Sequence, residues 1–294
     1  MPQCLQRIRP APQGWPVCAR SMARAGRRQG MRAGTGLLWL CLFGYALGAQ
    51  AAGTASIPAD PLDSSRWRYI VAEHFRDARL MFDERVQVRA PDAVEDGRAT
   101  PVFVRISGLD DVRRIRVLAD AVAPGAVLDY FPDSGAAARD LSLGFGLRLA
   151  QATPLRAAVL TGDGVWHIGG RWIDAQGGGC AAPSMTLPES AGAGKGLAPG
   201  IEARAWPRPA GYQRLKFRIQ APASARESWP AITQITISDS AGRLRARLVP
   251  GKTLDPTAVF TLDIASREPL HIDVRDARGQ RYERGVGSAA RALP

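Results

Sequence analysis

Hydrophobic and polar positions change period along this chain, and each change marks a new kind of element. In "PLDSSRWRYIVAEHFRDARLMF" (61–82), Trp67, Ile70, Val71, His74 and Phe75 recur at helical spacing, which predicts an amphipathic helix. Ser64 or Ser65, after Asp63, is the expected N-cap. From Glu84 onward the period drops to two. "RVQVRAP", "TPVFVRISG", "VRRIRVLAD", "AVLDYF", "DLSLGFGLRL", "PLRAAVLTGDG" and "VWHIGGRWI" are short alternating runs broken by Gly, Pro and Asp. Such runs predict strands of a β-sandwich. In "TGDGVW", Asp163–Gly164 suits the positive φ of a tight hairpin turn.

The alternation stops at Asp174. Residues 174–200, "DAQGGGCAAPSMTLPESAGAGKGLAPG", are mostly Gly, Ala, Ser and Pro, the composition of a flexible linker. Strand runs resume with "IEARAWP", "QRLKFRIQAP", "PAITQITISDSAG", "RLRARLVPG", "AVFTLDIA", "PLHIDVRDARG" and "QRYERGVG". The expected fold is mainly β: two immunoglobulin-like sandwiches, the first with an N-terminal helix, joined by a flexible Gly-rich arm. The expected layout is a leader at 1–51, a first sandwich at 52–173, the arm at 174–200 and a second sandwich at 201–294.

Residues 1–51 change the reading of both charge and cysteine content. They hold seven arginines and no acid, then the apolar run "GTGLLWLCLFGYALG" and a small-residue "AQAAG". A positive segment, a short apolar core and an A-x-A site describe a secretory signal peptide, cleaved after Ala51. A membrane span needs about 20 apolar residues, so the run is short for an anchor. The expected location is the periplasm, with no membrane attachment after cleavage. The whole chain carries a formal charge of +12. Removing the seven leader arginines from 39 basic residues leaves 32 against 27 acidic ones, about +5. That is an ordinary surface with no basic run, which argues against nucleic acid and leaves a mild attraction to acidic proteins. Cys4, Cys18 and Cys41 all fall in the leader, so Cys180 is the one thiol of the exported chain.

Catalytic signatures are missing: there is no G-x-S-x-G elbow, no H-E-x-x-H and no P-loop. His74, His167 and His271 are far apart in sequence, and His74 reads as a packed or half-exposed helix residue. A Cys180–His271 dyad would need the thiol held within hydrogen-bond reach of its base, which a glycine arm does poorly. One cysteine and scattered histidines do not make a zinc or copper site. Asp92, Glu95 and Asp96 in "APDAVEDG" read as a solvated loop shaped by Pro91 and Gly97, and "YFPDSG" reads as a turn. The chain is therefore expected to be a non-enzyme without cofactor or metal.

Cys180 remains. Its neighbours from Gly177 to Pro183 carry no charge, so nothing local lowers its pKa from about 8.5. Activation would have to come from another protein. Gly177, Gly178 and Gly179 have no side chains and let the segment enter a narrow cleft. From Asp174 to Cys180 the extended chain spans roughly 20 Å. These properties suit a thiol that delivers cargo. A free cysteine buried as a small apolar residue is the ordinary alternative, but no apolar residues flank this one.

Three segments, "SRWRYIVAEHF", "VQVRAPDAVEDGRATPVFVRI" and "GGGC", resemble SoxY, the sulfur-carrier subunit of bacterial thiosulfate oxidation. The second sandwich is similar to SoxZ in position and length. Together they resemble fused SoxYZ-like carriers associated with quinoprotein dehydrogenases. The resemblance implies that Cys180 holds sulfur intermediates as covalent adducts and that Gly177–Gly179 form the carrier arm. It also implies periplasmic redox or sulfur-metabolising partners, a quinoprotein dehydrogenase system among them. Two departures stand out. Ala181, Ala182 and Pro183 follow the cysteine where the family has glycines, and the arm continues into a second domain rather than ending.

Three readings stay open at this point. The leading one is a periplasmic carrier with a sulfur adduct on Cys180. The second is a non-catalytic accessory module of a periplasmic quinoprotein dehydrogenase system, in which Cys180 carries no substrate. The third is a homodimer linked through Cys180.

Overall fold

The computed structural model describes residues 57–94, 100–121, 126–133, 140–175, 200–220, 230–251, 254 and 258–287. Cys180, Gly177–Gly179, Glu95, Asp96 and the leader segment lie outside them. The described residues make one short α-helix, α1 (Trp67–His74), one 3-10 turn at Pro209–Gly211 and sixteen strands. The first group is β1 (Arg79–Phe82), β2 (Val86–Arg89), β3 (Ala93–Val94), β4 (Thr100–Ser107), β5 (Val112–Ala119), β6 (Leu128–Pro132), β7 (Asp140–Leu147), β8 (Thr153–Thr161) and β9 (Val165–Ala175). The second is β10 (Gly200–Arg208), β11 (Tyr212–Gln220), β12 (Ile232–Asp239), β13 (Leu244–Pro250), β14 (Val259–Ile264), β15 (Leu270–Asp276) and β16 (Arg281–Val286). No described helix is long and apolar enough to cross a membrane.

The predicted helix is shorter than its apolar spacing suggested. It stops at His74, and "RLMF" becomes β1, which pairs in parallel with β9. Phe75 lies just past the helix end and is buried there, stacked edge-on against Trp166. The residue at the N-cap position is Arg66, with no side-chain cap. Ser64 sits a little earlier, where its hydroxyl accepts from the Arg66 amide and donates to Asp120. Tertiary contact with β8 and β9, rather than capping, fixes where this helix begins.

The strands form two sheets with immunoglobulin-like, sandwich packing. One runs β1-β9-β8-β5-β6-β13-β12-β15-β16, with β3 also on β9; the other runs β10-β11-β14-β7-β4-β2. Each strand group supplies strands to both layers, so the two expected sandwiches are not separate bodies: both sheets and one core run through them. Two antiparallel pairs then join the groups: β6 to β13 in the larger sheet and β7 to β14 in the smaller. The cores merge as well, because Leu143 and Leu262 stand directly opposite each other and both are buried. Alternation sets the inside: Val102, Val104 and Ile106 of β4 are buried while Phe103 and Arg105 face out. At the joint, Gly144 lets the Phe103 ring lie flat on the sheet, since a Cβ there would come within 2.7 Å of it.

The hairpin at Gly164 differs from the two-residue turn expected. Only Gly164 has positive φ, at +78°, and its amide donates to the Thr161 carbonyl at 3.0 Å. Asp163 instead accepts from the Thr161 hydroxyl and the Val165 amide. The bend is therefore an ordinary turn closed by one left-handed glycine.

Candidate carrier site at the end of the first sandwich

The arm leaves from β9 and returns into β10. Residues Ile173 and Ala175 of β9 point into the core and are buried. Asp174 and Ala175 pair with β3, and the Asp174 amide donates to the Asp92 carbonyl at 2.9 Å. On the other side β8 pairs with β9 as far as Thr153–Ile173. Arg171 forms an ion pair with Asp92. Of the predicted acidic trio, only Asp92 is described; it is exposed and neutralised by Arg171, as a solvated loop residue would be. The backbone is thus held in a sheet up to Ala175. Cys180 follows by five residues, so its Cα stays within about 18 Å of that of Ala175.

Both roots of the arm lie at one end of the sandwich. β9 ends level with Thr153, and β10 begins at Gly200, opposite Gln220. Val259 of β14 is opposite Arg218, and β14 meets β7 near Gly144, so both roots sit where β7 hands over to β8. They are far apart sideways. β2, which packs on β9, and β10 are the two edges of the six-stranded sheet. Five strand spacings separate them, roughly 24 Å. The thiol is therefore leashed to the first sandwich.

None of the three histidines is brought to this end. His74 is half-buried at the end of α1; burial, and then nearby Arg116, lower its pKa. His167 lies eight residues back along β9, roughly 26 Å from Ala175. It is buried, and its Nδ1 is 2.7 Å from Asp83. Asp83 is held well below the usual carboxylate range, first by hydrogen bonds from the Arg85 side chain and less by His167. This pair clips the β1–β2 turn onto β9. His271 is on β15, six strand positions from β9 in the larger sheet, a separation of roughly 29 Å. It lies toward the opposite end of the sandwich and faces Glu283 at 3.7 Å. A Cys180 tied to Ala175 falls short of it, so the imagined Cys180–His271 dyad is not assembled. Among the described residues, no group of His, Cys, Asp and Glu is placed to hold a metal ion.

Two residues at this end were not singled out by the sequence pattern. Arg156 of β8 is fully buried, yet it pairs with Asp60 at 2.6 Å and with Asp120, and its guanidinium lies 5.1 Å from the Trp67 ring. Asp60 also accepts from the amides of Leu62 and Ser64. This network pins residues 58–67 onto the outer face of the larger sheet. A cation within the apolar run "PLRAAVL" was the visible signal. Trp172 stands on the same face, three residues before Ala175, with 49 % of its surface exposed.

Residues 71–180 match the family model described as sulfur oxidation protein SoxY. Over that span the chain is SoxY-like. A solved structure of the sulfur carrier protein SoxY from Chlorobium limicola f thiosulfatophilum is 22 % identical, with a TM-score of 0.30. It covers 37 % of this chain and 93 % of its own. No curated protein matches the chain.

Proposed function

We propose that this SoxY-like chain is an exported, non-catalytic carrier that holds a sulfur-containing intermediate covalently on Cys180 and presents it to partner enzymes. One observation carries the reading: the SoxY match ends on Cys180 itself, the one cysteine outside the leader-like segment. The geometry of β9 supports it. The strand is fixed on both edges and stops five residues before the thiol, so cargo is offered from a rigid base within a radius of about 18 Å. Gly177, Gly178 and Gly179 provide the slim approach to a partner's cleft. The partners in this reading are periplasmic sulfur-metabolising or redox enzymes, and a quinoprotein dehydrogenase system is the one the resemblance names.

The test is an intact mass of the protein isolated from its own host grown on thiosulfate, recorded with and without reductant. A sulfur adduct that reductant removes, absent in Cys180→Ser, is the expected result. A bare thiol under every condition, with partner association unchanged in Cys180→Ser, would replace the carrier by the accessory module. A doubled mass that collapses on reduction would replace it by the linked homodimer.

A further inference from the structure

The outer face of the second sandwich carries a charge arrangement that folding does not require. On β10 and β11, Arg204 and Lys216 stand directly opposite each other and point outward. Like charges in that position destabilise a sheet. Arg218, next along β11, is bonded to Glu202 at 2.6 Å. Among the described residues, Arg204, Lys216 and Arg284 of β16 have no carboxylate within ion-pair distance, and Glu202 is the one acid lining the cleft they share. The cleft has a volume of about 630 Å³ and is lined by Trp206, 39 % exposed, and, level with Glu202 at its other end, by Val259.

We propose that this cleft docks a carboxylate-rich surface of the protein that receives cargo from Cys180; in naming that partner, the proposal rests on the carrier reading. Three observations select a protein over a small anion. The cations are exposed, so a single small oxoanion would be held against water and salt with little gain, whereas an extended acidic patch meets several at once. An aromatic beside arginines is the composition of a protein-binding centre rather than of an ion site. The third is position. The cleft begins two residues after Gly200, on the same end of the molecule as both arm roots but across the six-stranded sheet from β9. The base of the arm and the β10 edge lie roughly 24 Å apart, so a protein seated in the cleft overlaps the reach of about 18 Å that the leash allows the thiol. No described element covers this face, unlike the α1-covered face of the first sandwich.

The test uses the leader-free chain and a fluorescent decaglutamate peptide as probe. Arg204→Glu/Lys216→Glu is compared with Arg68→Glu/Arg76→Glu, an equal charge change on exposed positions near α1. The cleft pair should weaken binding about tenfold or more and the helix pair less than about twofold, as expected of local charge complementarity. Trp206→Ala should weaken binding at physiological salt, where long-range steering is screened. Equal losses in both charge-reversed pairs would reduce the effect to net charge and overturn the proposal. So would displacement of the peptide by thiosulfate or sulfate well beyond chloride at matched ionic strength, which would make the cleft a small-anion pocket. Cys180→Ser should leave peptide binding unchanged. Failure of the docking site and failure of the carrier reading are thus read in different experiments, one on the peptide isotherm and one on the adduct mass.

Discussion

The two sandwiches share a joint and a core, yet they treat their outer faces in opposite ways. In the first, α1 and residues 58–67 lie over the larger sheet, and Trp67, Ile70, Val71 and Phe75 bury themselves against Leu118, Ala158, Trp166 and Ile168. A buried arginine locks that cover in place. In the second, among the described residues, no helix covers either sheet, and both outer faces carry charged and polar side chains with Trp206, Val259 and Leu244 exposed among them. The closed half holds the root five residues from the thiol, at Ala175, and the open half holds the distant root, at Gly200. A carrier needs both properties. The base of the arm must not shift when a partner pulls on it, and the partner must find a surface that is not already occupied.

The sharpest way to break this contrast is to open the closed half. Arg156→Met removes the cation and leaves the buried Asp60 and Asp120 carboxylates with only the neutral donors of Leu62 and Ser64. Removing one partner of a buried ion network costs about 3–5 kcal/mol. Urea unfolding should show that loss, together with protease access near residues 58–67. Adding Asp60→Asn and Asp120→Asn to Arg156→Met should recover much of the stability, because the buried charges go with it. If Arg156→Met alone were neutral, the cover would be held by α1 packing and the network would be incidental.

Next in size is the joint. Leu143 and Leu262 meet across it with both side chains buried, so Leu143→Ala should cost about 2–5 kcal/mol. Arg245 adds a polar tie there, reaching Asp133 of the first group at 3.0 Å and Asp239 of the second at 2.7 Å. Since two sheets and one core cross the joint, Leu143→Ala should lower a single calorimetric transition rather than split it. Two separate transitions would show that the halves unfold independently.

Much of this was legible in the sequence, for identifiable reasons. Period-two alternation placed β4, β11 and β12 because each has one buried and one solvated face. Cys180 emerged from counting thiols, and the SoxY match reaches that same residue. The joint was not legible: nothing local in "AVLDYF" or "DLSLGFGLRL" says which strand of the other half β6 and β7 meet. The helix end was misread because Phe75 satisfies helical spacing while lying outside the helix. The basic cleft was invisible because Arg204, Lys216 and Arg284 come together only through the β10–β11 register and the approach of β16.

A smaller effect in the first half shows in acid. Asp83, in the first half, is held below its ordinary value by Arg85 and His167, so its bonds stabilise the fold once the pH exceeds the unfolded value of about 4. That contribution disappears as the pH falls through the lower folded value. Asp129 behaves likewise: burial pushes its pKa up, but hydrogen bonds from Arg114 and Arg116 prevail and leave it lowered. Stability should therefore decline below about pH 4, and Asp83→Asn should flatten that decline while changing the neutral-to-alkaline limb little. A decline with unchanged slope in Asp83→Asn would assign acid sensitivity to other carboxylates.

The smallest effect tests where the halves ought to be alike. Gly164 closes the β8–β9 hairpin at φ +78°, and Gly242 closes the β12–β13 hairpin at φ +75°. Each donates its amide three residues back, to Thr161 and to Asp239 respectively. A Cβ at either position would meet nothing within 4 Å. The penalty of alanine is then the left-handed backbone alone, about 1–2 kcal/mol. Gly164→Ala and Gly242→Ala should shift urea midpoints by similar amounts, despite the closed and open faces around them. Their aspartates differ: Asp163 accepts from Thr161 and Val165, whereas Asp239 accepts from two amides and also holds Arg245. A clearly larger loss at Gly242 would mean that this turn transmits strain through Asp239 and Arg245 into the joint, and the second sandwich would be less independent of the first than its open face suggests.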